Sequence, residues 1–365
     1  MSLKTVTILG GGNTAFAVAA NLSLKGFEIT LYEIPGFRES LDPVVDDGII
    51  HLLGAAGQGA ARIHCITADI EEALESPELI LLIVPAYAHK PFAEVCAPHL
   101  RPGQTVVIMP GTLGALEWAR LLREAGAEGV VLGEVDTAPF VCRKTAPDTA
   151  TIWGTVTGLG LGVFPAGEFD HVRGRLDALF PGITGYPDVL ACGLAAMNPV
   201  VHPAGVLLNA GRVEYSHGEF YFYEEGVTPS VARVIMQVDS ERRSIASRLG
   251  YKLCPANVAF HRAGFGPEGD LWATINGSYM LTRLKAPGSM DSRWLTEDIP
   301  YGLAAWHSVG AQYNVPAPTI RALVDVGSIV IGEDGWASGR DVCDLGIAGM
   351  DPRALKAYLQ TGKTS

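Results

Sequence analysis

Residues 5–19 read TVTILGGGNTAFAVA. A β-branched apolar run, Thr5–Leu9, stops at Gly10-x-Gly12-x-x-Ala15 and passes straight into a helical stretch, Ala15–Lys25, closed by Gly26. Each small residue has a mechanical task in such a turn. Gly10 permits the tight reversal, Gly12 lets the backbone approach a pyrophosphate, and Ala15 lets helix and strand pack closely. The N–H groups that open the helix, on Asn13, Thr14 and Ala15, then face the phosphates. Glu33 ends the next strand, where a carboxylate accepts hydrogen bonds from adenosine ribose hydroxyls. Glycines can also serve a bare strand–helix turn. Here the strand, the small third residue, the helix and the spaced acid agree on a bound dinucleotide. Glu33 would repel a 2′-phosphate, which favours NAD, while the nearby Arg38 keeps NADP open.

The rest of the first half alternates strands and helices. Strands are expected at Glu28–Glu33, Arg62–Thr67, Leu79–Val84, Thr105–Met109 and Val130–Leu132, with helices at Ile70–Leu74, Lys90–His99 and Ala115–Glu124. The run LILLIV at 79–84 is uniformly apolar, as a strand buried on both faces must be. This predicts an α/β fold, an N-terminal doubly wound Rossmann domain with a mostly parallel sheet. Past Gly185–Asp188 the spacing becomes helical, over Leu190–Tyr215, Pro229–Leu249 and Pro316–Ile329. We therefore expect a dinucleotide-binding domain over 1–186 and a mostly α-helical substrate domain over 187–365.

Composition removes other classes. The 365 residues are 48% apolar and 18% charged, enough for two buried cores. The net charge is −12, which argues against phosphate-backbone binding. The apolar run Leu79–Ala88 is too short to span a bilayer, and no signal peptide precedes the first strand. Six cysteines, with no CxxC pair, point to a reducing compartment. His89 and His99 read as surface or packing residues, and no metal-ligand spacing stands out.

Two segments of the second half carry unusual residue types. In Met197-Asn198-Pro199-Val200-Val201-His202-Pro203 a titratable ring interrupts an apolar helix, and Pro203 cannot donate to the carbonyl of Pro199. A core histidine satisfied by that freed carbonyl is the plain alternative. In Asp291–Gly302, SRWLTEDIPYG at 292–302 can be a helix start, with Thr296 as N-cap and Glu297 and Asp298 complementing the dipole.

Taken together, NPVVHPAG and RWLTEDIPYGL, in this order and after this fingerprint, resemble the two signatures of the opine dehydrogenase family (octopine, nopaline and carboxyethyl-amino-acid dehydrogenases). IVPAYAH at 83–89 is similar to its post-strand cofactor loop, which brings in Pro85 and Ala86, and GEVDTAPFVCR at 133–143 to its strand-end segment. The resemblance spans essentially the whole chain and implies a Rossmann domain joined to an all-helical one. It implies that His202 is the acid/base, that Asp298 orients it, and that Arg293 holds a substrate carboxylate. Thr137 falls where the family contacts the oxo acid. Thr112 lies near another such position, where some members carry glutamine, and Asn198 joins the substrate side.

The chemistry implied is condensation of an amino acid with a 2-oxo acid, commonly pyruvate, and reduction of the imine by a nicotinamide hydride. Expelling water needs a proton donor, which a histidine beside a carboxylate supplies. A planar carboxylate calls for a bidentate cation, which arginine supplies better than lysine. Two other readings stay open: a reductase of ketopantoate-reductase or glycerol-3-phosphate-dehydrogenase type, which would need a lysine where His202 stands, and a non-catalytic nucleotide sensor. The expected cofactor is NAD, with NADP as the alternative. The expected partners are small-molecule substrates, with no nucleic acid, no membrane and no metal, in a cytoplasmic protein that a homodimer would suit. The aromatic residues Tyr215, Tyr221, Phe222, Tyr223, Trp272, Trp294 and Trp306 are as fit for core as for pocket.

Overall fold

The computed structural model describes residues 3–363. The chain forms two compact units, one running to Val189 and taking back Tyr358–Lys363, the other Leu190–Ala357. Tyr358–Lys363, helical to Thr361, belongs to the first unit. The cause is aromatic packing: the Tyr358 ring lies 5.0 Å from that of Phe164, and its hydroxyl accepts from Arg123 at 3.3 Å.

Among the described residues the first unit is built on twelve strands: β1 Thr5–Leu9, β2 Glu28–Tyr32, β3 Ile49–Gly54, β4 Gly59–Arg62, β5 Cys65–Thr67, β6 Leu79–Leu82, β7 Thr105–Ile108, β8 Val131–Val135, β9 Phe140–Ala146, β10 Thr149–Thr155, β11 Gly160–Phe164 and β12 Thr184–Gly185. Eight of them form the sheet β12-β11-β8-β7-β6-β1-β2-β5. Pairing is parallel except for β11 against β8. The order reverses at β1, between β2 and β6, so the glycine turn after β1 opens at the sheet's switch point.

A second sheet, β4-β3-β10-β9, lies outside the sequence expectation. It packs on the helix Asn13–Leu24, in which every residue from Ala15 to Leu22 is buried. A helix apolar all round must be covered on every side, and one sheet covers only one. The expected strand Arg62–Thr67 is accordingly two strands in two sheets. Arg62 ends β4 against β3, and Cys65 begins β5 against β2.

The second unit is helical, with Pro229–Arg248 its longest element. The expected helix Leu190–Tyr215 is broken into Val189–Ala195, Asn198–Leu207 and Ala210–Ser216. Pro199 stands in the first turn of the middle one, where a missing N–H costs nothing. By length and composition Val189–Leu207 outdoes Leu79–Ala88 as an apolar span, yet 89% of it is buried inside the fold. Among the described residues two π-helical turns, Phe222–Gly226 and Asp298–Ala304, lie between the α-helices. Such turns are rare and concentrate at functional sites.

Candidate active site

In the first unit the glycine turn behaves as its sequence requires. Gly10 has φ +121°, and a Cβ there would stand 2.5 Å from the Ile83 carbonyl oxygen. Gly12 is the N-cap of Asn13–Leu24, has no side-chain cap, and a Cβ on it would meet no atom within 4 Å. The helix start is therefore bare backbone facing open space, a cradle that suits a dinucleotide pyrophosphate. Ala15 is fully buried, where only a small side chain lets the helix approach its surroundings. Pro85 and Ala86 follow β6, adjacent to β1 in the sheet.

Two details differ from the simple fingerprint. The Asn13 side chain is engaged through Oδ1, which accepts the Lys144 backbone N–H at 2.8 Å. Glu33 is 7% exposed, and its two oxygens accept the N–H groups of Gly11 at 2.7 Å and Ile34 at 2.9 Å. Burial raises its pKa, opposed by those two hydrogen bonds and by the charge of Lys144. A carboxylate has four acceptor sites, so Glu33 retains capacity for ribose hydroxyls while fixing the loop. Sequence reasoning overlooked Lys144. Its ammonium donates to the Gly11 and Ser40 carbonyls and sits 3.4 Å over the Phe16 ring, tying β9 to the turn.

Thr112 and Thr137 hang from the carboxyl ends of neighbouring strands, β7 and β8. The Gly111 N–H donates to the Val135 carbonyl at 3.0 Å, joining the two ends. Thr112 and Leu113 have φ +46° and +71°, a conformation costly for β-branched and bulky residues. Glu134, fully buried on β8, holds this turn, accepting from Leu113 N–H at 3.1 Å and Ala115 N–H at 2.9 Å. The signal was legible as an acid inside the apolar run VLGEV. Asp136, beside Thr137, accepts from the Gly160 N–H and the Tyr186 hydroxyl, and burial pushes its pKa up to about 6.

The second unit brings together His202 and Asp298, 96 residues apart in sequence. The histidine is 8% and the aspartate 6% exposed, and Nδ1 lies 2.7 Å from Oδ2. The acceptor-only carboxylate makes Nδ1 the donor. Nε2 lies 3.2 Å from the Tyr223 hydroxyl, and the Trp294 indole stacks on the ring at 4.3 Å with planes 6° apart. Both ring nitrogens thus go to side chains, not to the carbonyl freed by Pro203. The N-cap reading of Thr296 also gives way. Thr296 is the last residue of the helix Arg293–Thr296, its hydroxyl donating to the Ser292 carbonyl, and Asp298 opens the π-turn with its carboxylate on His202. Arg293 is the first residue of that short helix and is exposed. Asn198 opens the His202 helix and is half-buried. Of the aromatic set, Trp306 is core and Tyr215 is exposed, whereas Tyr223 and Trp294 touch the histidine. Among the described residues no group of three His, Cys, Asp or Glu side chains could hold a metal.

Comparison with known proteins places this arrangement. Residues 185–331 match the family described as NAD/NADP octopine/nopaline dehydrogenase, alpha-helical domain. The chain is 31% identical to an opine dehydrogenase of Arthrobacter sp. (strain 1C), over 98% of this chain and 99% of that one. Structures of octopine dehydrogenase, one with NADH and agmatine and one with NADH and pyruvate, superpose with TM-scores of 0.80 and 0.76. Each is 20% identical and covers 99% of both chains. A ketopantoate reductase from Ralstonia eutropha JMP134 superposes less well, at TM-score 0.60 and 16% identity, over 90% of this chain and 98% of that one. With near-complete coverage at 31% identity, and its two helical-domain signatures meeting as one histidine–aspartate pair, the chain belongs to the opine dehydrogenase family.

Proposed function

We propose that this enzyme, an NAD(P)-dependent dehydrogenase acting on CH–NH donors, condenses an amino acid with pyruvate and reduces the product to a secondary-amine dicarboxylic acid, and runs the reverse oxidation. The buried 2.7 Å pair of His202 and Asp298 is the observation that carries this. Asp298 fixes Nδ1–H and with it the orientation of the ring, leaving Nε2 as the acid. The amine adds to the oxo-acid carbonyl, and Nε2 gives its proton to the resulting hydroxyl. The C–O bond breaks, the oxygen leaves as water, and the nitrogen lone pair closes the C=N bond. Arg293 holds the oxo-acid carboxylate, and Asn198 adds a hydrogen bond on the substrate side. The dinucleotide, when bound, supplies the hydride. In the reverse direction His202 takes the proton back.

A reductase using lysine would reduce an oxo acid alone. The His202 helix, Asn198–Leu207, contains no lysine. We therefore expect NADH oxidation with pyruvate to require an added amine, assayed against a panel of amino acids. Fast oxidation with pyruvate alone, unchanged by every amino acid, would establish the reductase instead.

Glu33 also sets an expectation for the cofactor. Its buried carboxylate, held on the Gly11 N–H, stands at the end of β2 and disfavours a 2′-phosphate. NADH should give the higher kcat/KM by about tenfold or more, the equivalent of some 1.4 kcal/mol. An NADPH preference would show that Lys144 and Arg38 outweigh Glu33.

A further inference from the structure

Asp298 takes Nδ1 of His202 and Trp294 covers one ring face, so Nε2 is the nitrogen left for chemistry. That nitrogen already has a neighbour. The Tyr223 hydroxyl lies 3.2 Å away, on a side chain only 5% exposed. We propose that Tyr223 is a positioning residue for His202, its hydroxyl keeping Nε2 aimed both before and after the proton leaves. The proposal rests on reading His202 as the acid/base.

A hydroxyl suits this task because it both accepts and donates. With Nε2 protonated, the phenol oxygen accepts. Once the proton has gone to the substrate oxygen, the O–H turns about its C–O bond and donates to the Nε2 lone pair. No heavy atom moves. Burial and the charge of Asp298 hold the Tyr223 pKa far above its ordinary value, so the group stays a phenol throughout. The 3.2 Å separation is long for an N–H···O bond and leaves the proton free to be shared with a second acceptor.

The surroundings pin that hydroxyl in place. Tyr223 lies on the π-turn Phe222–Gly226, edge-on to Phe222 at 5.0 Å, and Phe222 in turn meets Trp294 at 4.7 Å. Gly205, on the His202 helix, admits the Phe222 ring where a Cβ would stand 2.4 Å from its tip. The Asn209 amide donates to the carbonyls of both Gly205 and Gly226, joining helix and turn.

Tyr223→Phe removes the hydroxyl and keeps the ring. We expect kcat of the amine-dependent reaction to fall about 10–100-fold, the usual loss when a partner that orients a reacting group is removed. The KM for NADH should stay within twofold and the Tm should hold. By ¹⁵N NMR the His202 Nε2 resonance should move while Nδ1 stays. Tyr221→Phe, on an exposed neighbour, should behave as the parent protein. A kcat within twofold of wild type with an unmoved Nε2 resonance would overturn the proposal, as would an equal loss from Tyr221→Phe. If the wild type shows no amine-dependent turnover, the functional reading fails instead, and the NMR comparison alone decides the place of Tyr223.

Discussion

His202→Asn should lower kcat about 10²–10⁴-fold, the usual contribution of a positioned acid/base, while leaving cofactor binding and folding close to wild type. Asparagine is the informative replacement. Its amide N–H can stand where Nδ1 stood and keep the Asp298 carboxylate bonded, so the variant does not strand a buried charge. An alanine would, and its loss of stability would obscure the kinetics. Asp298→Asn should also be damaging, because it removes the acceptor-only carboxylate that fixes Nδ1–H and the orientation of the ring. The pair works as a unit, so the double variant should cost far less than the product of the single losses. Tm and kcat measured on the same samples separate catalysis from packing. A folded His202→Asn protein with near wild-type kcat would end the proposed mechanism.

The second large effect is expected at the glycine turn, where two alanine substitutions two residues apart should fail differently. Gly12→Ala places a methyl in space that the protein leaves open. The fold has no reason to notice, so Tm should be unchanged. The methyl would occupy room that a pyrophosphate needs, and the Kd for NADH should rise about 10–100-fold, or 1.4–2.8 kcal/mol. Gly10→Ala meets the opposite situation. Its φ of +121° is strained for any L side chain, and the new Cβ would press on the Ile83 carbonyl oxygen and on Val84. Strain of this kind costs about 1–3 kcal/mol, and each kcal/mol lowers Tm by about 2–4 °C in a unit of this size. Titration of NADH and a thermal melt on each variant are sufficient. Equal effects on Kd and Tm in both variants would show that the glycines serve only the turn.

Much of this was legible in local sequence because local physics dictates it. A tight turn needs Gly10 whatever surrounds it, and a strand buried on both faces, such as Leu79–Leu82, must be apolar along its length. The helix Asn13–Leu24 also announced its second covering layer by lacking a polar face, but nothing local says what provides it. The answer, β9 and β10 beside β3 and β4, depends on pairings between residues about 100 positions apart. The same limit applies to the site. His202 and Asp298 were named through resemblance to a family, since on residue physics alone a freed carbonyl and a helix dipole explained them equally well.

By itself, then, the sequence determined the α/β beginning, the helical second half, the glycine cradle with Glu33, and the residue types that opine chemistry needs. Only the tertiary structure decided which of the aromatic residues touch the histidine, that Asn13 and Glu33 spend side-chain hydrogen bonds on the protein itself, and that Glu134 holds the strained Thr112 turn. The reason is physical. Periodicity and turn chemistry act over a few residues, whereas a hydrogen bond such as His202 to Tyr223 or to Asp298 exists only after distant elements have packed, and packing is not written in any one segment.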